Sequence, residues 1–412
     1  MRLALSNIRK GCQFLLILAA PLLWCACSEE ERLPAIEYTV LEEIKVKETI
    51  TLQETIDFLF EDYGIAPDMQ AYIEQRIEPL RLLTTDLTAY TITYNTTSPD
   101  GKPIVASGVV YYPKRGKPKG VLEISPINKS KTDCASKNVR TAEIAPAFLG
   151  YICIIPDLVG CGVSEDLPIS YMQHENAAIV SADLRKAATE LIRNIYGKAI
   201  PNQSIIFGYS LGGGISWSLA RHYQLHPELG IQVTDVFTGG GAYYPRLAVE
   251  AFSATGYSDY AILPNILYSM NYYDQLRLDF TQIFKGQLLE NYEDWCQGFI
   301  SIPQLTKILG RDLHEYIDFS FLSDDNPDYQ RLLTVADTKA IPNDWIPKAK
   351  VHIYSSKEDT YVPRQCSDQL YEYLVSVGAD VEYVLMEEDH VMGGLVFGEA
   401  FLQYLADKAL PF

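Results

Sequence analysis

Gly208-Tyr209-Ser210-Leu211-Gly212-Gly213 follows a short apolar run, Ser204-Ile205-Ile206-Phe207. It precedes Ile215-Ser216-Trp217-Ser218-Leu219-Ala220, which has helical character. The order is strand, tight turn, helix. A serine at the apex of such a turn, with Gly208 and Gly212 two residues to either side, has the form of a nucleophile elbow. The turn holds the serine in a strained backbone conformation, and the flanking positions must lack side chains because other segments pass close by. The helix start aims backbone N–H groups and a positive dipole end at the place where an oxyanion would form. The N–H of Leu211 is therefore the first candidate donor.

A serine hydroxyl is a weak nucleophile at neutral pH and needs a base, normally a neutral histidine oriented by a carboxylate. Nucleophile-elbow hydrolases place these in the chain order serine, acid, histidine. Here Lys350–Tyr354 reads as a strand followed by Glu358-Asp359, and Val381–Leu385 as a strand followed by Asp389-His390. His390 is the candidate base. His174 precedes the elbow, His222 and His226 lie along or beyond its helix, His314 lies in a later insertion and His352 lies inside a strand; each reads as a core or surface residue. Glu358, Asp359 and Asp389 are the possible acids, with Asp389 badly aimed because it adjoins the base. An oxyanion hole needs a second donor from the loop after Val121–Ser125. Pro126 has no N–H, so Ile127 or Asn128 must donate, and Ile127 is preferred.

The surrounding pattern is α/β. A hairpin is expected around Ser98-Pro99-Asp100-Gly101, with the return strand at 104–112. Further strands are expected at 121–125, 151–157 and 233–238, and an amphipathic helix at 175–196 that Gly197 can cap. Strands alternating with helices imply a mostly parallel sheet covered on both faces, with ligands bound at the C-terminal strand ends. Residues 243–345 break the rhythm. They carry Tyr268, Tyr272, Tyr273, Phe280, Phe284, Tyr292, Trp295, Phe299, Tyr316 and Phe319. They read as a largely helical cap whose aromatics mostly form its own core, with two or three expected to line a substrate pocket. The expected organisation is a signal segment at 1–26, a tether at 27–50 and a helical extension at 51–88. The core is expected at 89–242 and 346–412, with the cap at 243–345.

Several stretches together resemble the secretory lipase (lipase A-like) branch of the α/β-hydrolases. They are Asp157 through Ser164 with Tyr171, Gly208 through Gly213, His226-Pro227-Glu228-Leu229, Trp345-Ile346-Pro347 and Asp359-Thr360-Tyr361-Val362-Pro363. The resemblance covers roughly residues 89–410. It implies an α/β-hydrolase fold with a cap inserted before the acid strand, hydrolysis of carboxylic esters and no cofactor. It also selects Asp359 as the acid, giving Ser210, Asp359 and His390. Departures from the branch are Leu211, Ser355-Ser356 and Ser125-Pro126.

The chain has 412 residues, 48% of them apolar, which is enough for a sizeable core. Its formal charge is −19, which argues against nucleic acid as a partner. Arg2, Arg9 and Lys10 precede an apolar stretch too short for a comfortable membrane span, followed by Ala26-Cys27-Ser28-Glu29-Glu30-Glu31. This resembles a bacterial lipoprotein signal with Cys27 as the lipidated residue and an acidic surface-export signal behind it. The expected address is the outer membrane of a Gram-negative bacterium, exposed at the surface and held there by the N-terminal lipid. Without residues 1–26 the basic count falls from 34 to 31, and the charge is 31 − 53 = −22. Five cysteines remain beyond Cys27, an odd number with no zinc-site spacing, so no metal is expected. The expected substrates are small-molecule, lipid or acylated-glycan esters. Two other readings stay open. One is a serine peptidase, for which Asp324, Asp325 and Asp328 would have to supply an amine subsite; the other is a non-catalytic surface binder.

Overall fold

A computed structural model describes residues 32–62, 67–127 and 130–409. Among these residues nine strands form one sheet: β1 (Leu41–Ile50), β2 (Leu87–Thr97), β3 (Pro103–Pro113), β4 (Val121–Ile124), β5 (Ile152–Pro156), β6 (Gln203–Tyr209), β7 (Gln232–Gly239), β8 (Lys350–Ser356) and β9 (Val381–Met386). Among the described residues eleven α-helices accompany them: α1 (Leu52–Asp62), α2 (Pro67–Ile77), α3 (His174–Tyr196), α4 (Leu211–Leu225), α5 (Pro245–Thr255), α6 (Leu263–Tyr273), α7 (Gly286–Trp295), α8 (Ile302–Leu309), α9 (Pro327–Thr338), α10 (Gln365–Ser376) and α11 (His390–Ala409). The strand order is β1-β2-β3-β5-β4-β6-β7-β8-β9. The first three strands are antiparallel, β3 runs antiparallel to β5, and the remaining pairs are parallel.

The two-residue period of the strands decides which side chains meet which helices. Ile206 and Val236 join the layer that contains α4 and the cap, whereas Ile205, Phe207 and Phe237 face Phe397, Phe401 and Leu405 of α11. Leu184, Ala188 and Leu191 of α3 pack on Tyr90, Val110 and Ile154 of the antiparallel end. The expected stripe of α3 is thus buried, and Gly197 ends it in the left-handed conformation. A buried polar knot fixes the elbow frame. Glu123 of β4 accepts hydrogen bonds from Ser204 of β6 (2.6 Å) and Tyr223 of α4 (2.5 Å), and Arg185 of α3 stands 3.7 Å away. Burial raises the Glu123 carboxyl above its ordinary range, opposed by Arg185, Ser204 and Tyr223.

The tether expected through residue 50 is corrected. Leu33 N donates to Gly197 O, and Thr39 and Leu41 donate to Glu190, so residues 32–41 lie along the end of α3. Leu41–Ile50 then forms an edge strand on β2. Register shifts between Leu41 and Glu43 and between Ile44 and Val46 break its alternation, which is why no period is visible in the sequence. Its Glu and Lys side chains suit an exposed edge. The signal segment, Cys27 and Asn128 lie outside the described residues.

Residues 243–345 carry α5 to α9 and no named strand. Phe280 stacks on Phe284 with ring centroids 4.8 Å apart, and Tyr268 and Tyr292 pack on the pair. These four rings pack on one another within the inserted segment.

Candidate active site

β6 delivers Ser210 to the C-terminal edge of the sheet, and α4 begins at the next residue. Ser210 has φ 56° and ψ −124°, a conformation strained for a residue with a side chain. It is held there by its own N–H donating to Gly239 O and by Gly213 N–H donating to its carbonyl, both at 2.9 Å. The flanking glycines are required by contact. A Cβ at 208 would stand 2.0 Å from Gly212 O, and one at 212 would stand 2.8 Å from Ser125 O. The second contact also places the loop after β4, which carries Ile127, against the first turn of α4.

Asp359 follows β8, and its carboxylate is 2% exposed. Its Oδ1 accepts the N–H groups of Tyr361 (2.9 Å) and Val362 (2.8 Å). Its Oδ2 accepts Nδ1–H of His390 at 2.6 Å, and Ser210 Oγ–H donates to Nε2 of His390 at 2.9 Å. An ionised carboxylate can only accept, which fixes this tautomer. The three residues that the sequence pointed to are therefore in one line of hydrogen bonds. Glu358 is exposed, and Asp389 is used otherwise: its Oδ1 takes the N–H of Met392 in the first turn of α11.

The remaining histidines stand away from this line. His174 is buried against Gly214, and burial pushes its imidazole down to about 4. His314 stacks on Phe319, and His352 sits between Asp235 and Glu382. His222 and His226 pack on each other at the far end of α4.

Three supports were not read from the sequence. Tyr209 OH donates to the carbonyl of His390 at 2.6 Å. The ring of Tyr361 meets the imidazole edge-on at 4.8 Å. Ser356 Oγ donates to Asp389 O at 3.2 Å, holding the turn that presents His390. Tyr209 and Tyr361 lie inside motifs that the sequence singled out, but their hydroxyl and ring contacts depend on where α11 begins.

A cavity opens beside Ser210 and Leu211. Its walls are Tyr171 and Met172 from the loop after β5, Ala248 and Phe252 of α5, Ile262 and Ile266 at α6, and Tyr361 and Val362 after Asp359. No carboxylate lines it. None of the ten cap aromatics named from the sequence lines it either; Tyr273 is buried against the antiparallel end of the sheet, and the others pack within the cap or face solvent. Asp324 and Asp325 are exposed and Asp328 pairs with Arg331, so the acidic trio is no part of this cavity. Among the described residues no cluster of three or more His, Cys, Asp or Glu is placed to hold a metal ion.

No protein-family model and no curated protein matches the sequence. Solved structures do match. A candidate hydrolase of Legionella pneumophila superposes with a TM-score of 0.72 at 22% identity, over 90% of this chain and 98% of its own. The ligand-bound rice cell wall degrading esterase LipA of Xanthomonas oryzae gives 0.68 at 16%, over 88% and 97%. Candida antarctica lipase A gives 0.58 at 14%, over 79% of each chain. At these identities the likeness speaks for architecture. With its mostly parallel sheet, its helices on both faces and its serine at the strand–helix elbow, the chain has the α/β-hydrolase fold.

Proposed function

We propose that the protein is a serine hydrolase that cleaves carboxylic esters through an acyl-enzyme. The observation that carries this reading is the line Ser210–His390–Asp359, with hydrogen bonds of 2.9 and 2.6 Å, opening on an apolar cavity. Ser210 Oγ attacks the ester carbonyl while Nε2 of His390 takes its proton. Asp359 keeps the imidazole oriented and balances the imidazolium that forms. The N–H groups of Leu211 and Ile127 receive the oxyanion. His390 then hands its proton to the departing alcohol, and a water activated by the same imidazole releases the acid. The names of the structural neighbours, an esterase and a lipase among them, agree with this chemistry. A peptidase would need a counter-charge for a substrate amine, and no carboxylate lines the cavity.

The sequence before residue 32 supports the second half of the proposal, an outer-membrane lipoprotein of a Gram-negative bacterium, lipidated at Cys27 and exposed at the surface. Its body would be strongly acidic there and would depend on its lipid to stay at an anionic membrane. No described helix is long and apolar enough to cross a membrane.

The test is turnover of p-nitrophenyl butyrate by wild type and Ser210→Ala. Loss of at least about 10⁴-fold in kcat is expected, leaving only what binding and oxyanion donors supply, with an unchanged melting temperature. Retained turnover in the variant rejects the assignment.

A further inference from the structure

Among the described residues, four that are not glycine have positive φ: Met172, Ser210, Gln275 and Arg277. Ser210 is explained by the elbow. Met172, with φ 60°, is not explained by chain turning alone, because glycine would serve that purpose at no steric cost. Strain of this kind persists only where the surroundings impose it, and it clusters at functional sites.

The surroundings of Met172 are unusual in one respect: the cap imposes them. Tyr273 OH donates to Pro168 O at 2.6 Å, and Ser269 Oγ donates to Tyr171 O at 3.1 Å. Gln173 Nε2 donates to Asp274 Oδ2 at 2.7 Å. Lys339 Nζ, just past α9, donates to Gln173 Oε1 at 2.8 Å and pairs with Asp274 at 2.5 Å. Residues on both sides of Met172 are thus pinned to α6 and its C-terminal end. The same helix contributes Ile266 to the cavity beside Ser210. Met172 and Ile266 therefore belong to one fastened unit, in which the wall cannot retreat as a loose loop would.

We propose that Met172 is a specificity-determining residue that limits the acyl chain, so that the site takes esters of short apolar acids. This rests on the ester-hydrolase reading above. The lining has no charged side chain, so the part of the substrate that enters it is apolar. Met172 is 7% exposed, and Phe252 and Ile266 of the same lining are each 2% exposed. A longer chain has to displace a side chain whose backbone is locked, in a packed interior that resists added volume. The leaving alcohol must be accommodated elsewhere.

The experiment compares kcat/KM for p-nitrophenyl butyrate and octanoate in wild type, Met172→Ala, Met172→Gly and Met172→Leu, each normalised by active-site titration with a fluorophosphonate. Wild type is expected to favour butyrate. Shortening the side chain should raise the octanoate-to-butyrate ratio about fourfold for each further methylene that the widened pocket covers, so roughly tenfold or more. Met172→Leu, which keeps the volume, should leave the ratio within about twofold of wild type. Glycine accepts φ 60° without strain, so Met172→Gly carries the test if the alanine variant folds poorly. A ratio unchanged in titratable Met172→Ala and Met172→Gly protein overturns this inference and leaves the hydrolase reading intact. Failure of wild type to titrate at Ser210 overturns both.

Discussion

Ser210 combines two unfavourable local choices, a strained backbone and a buried hydroxyl, and both are maintained by neighbours with no alternative position. Gly208 is the tightest of these. Its substitution by alanine places a methyl inside the Gly212 carbonyl, so Gly208→Ala should lose about 3 kcal/mol or more in urea unfolding, the upper range for overpacking. Asp359 has its two oxygens committed to different donors, backbone N–H groups on Oδ1 and His390 on Oδ2. An asparagine offers one acceptor. With its oxygen toward the backbone, its NH₂ faces Nδ1 and moves the imidazole proton to Nε2, where it blocks transfer from Ser210. Asp359→Asn should therefore lower kcat on the order of 10⁴-fold, with a melting temperature close to wild type. At this scale the sequence was highly legible. Serine, acid and histidine are fixed by chemical type, chain order and placement after strands. Choosing Asp359 over Glu358 needed the resemblance of the following Val-Pro loop. Met172 left no trace, because a backbone angle imposed by hydrogen bonds from a distant helix has no local spelling.

Helix α11 begins on His390, the proposed base. Gly393 and Gly394 weaken helix propensity by about 1 kcal/mol each, which argues for a later beginning. The structure uses them instead to bring the first turn against Ser356 and Tyr209, where a Cβ at 393 would stand 2.1 Å from Ser356 Oγ. The far end of α11 is fastened separately. Tyr404 OH and Lys408 Nζ both donate to the buried Asp235 of β7, the lysine at 3.0 Å, and His352 lies 3.5 Å from the same carboxylate, with Glu382 on its other nitrogen. Burial alone would raise the Asp235 carboxyl, but hydrogen bonds from His352, Tyr404 and Lys408 outweigh it and hold the group well below the usual carboxylate range. A carboxyl depressed in the folded state contributes stability above its unfolded value of about 4 and loses it as pH falls below that value. Asp235→Asn should thus be less stable than wild type by about 1–3 kcal/mol at pH 7. The gap should narrow in urea titrations carried from pH 7 to pH 3; a gap independent of pH would mean that the charge is not what fastens the helix. Edge strand β1 was missed for a related reason: two bulges erase its period, and its pairing with β2 is a tertiary fact.

Seen whole, the molecule is an acidic body with a fastened cap, and its parts divide by how local their causes are. The parallel sheet was readable because buried strands leave apolar runs and α3 leaves a stripe. The cap was readable only as helical and aromatic, since most of its rings pack away from the cavity and the one that lines it, Phe252, is not marked out by the sequence. The five cysteines of the folded body are all buried and unpaired among the described residues, and burial pushes the Cys134 and Cys366 thiols up to about 12. In a chain beginning at residue 28, none should react with Ellman's reagent at pH 8 until guanidinium unfolds the protein, when five should. Early reaction of one or two thiols would indicate that the cap or the loop after β4 opens readily.

The ester-hydrolase proposal depends on Ser210 being a nucleophile activated by His390. The most direct measurement is the intact mass of the protein after a fluorophosphonate reaction, followed by peptide mapping. A single adduct on Ser210 is expected in wild type and none in Ser210→Ala or, at the same exposure, in His390→Ala. An unlabelled wild type, or an adduct that persists in Ser210→Ala, would contradict it.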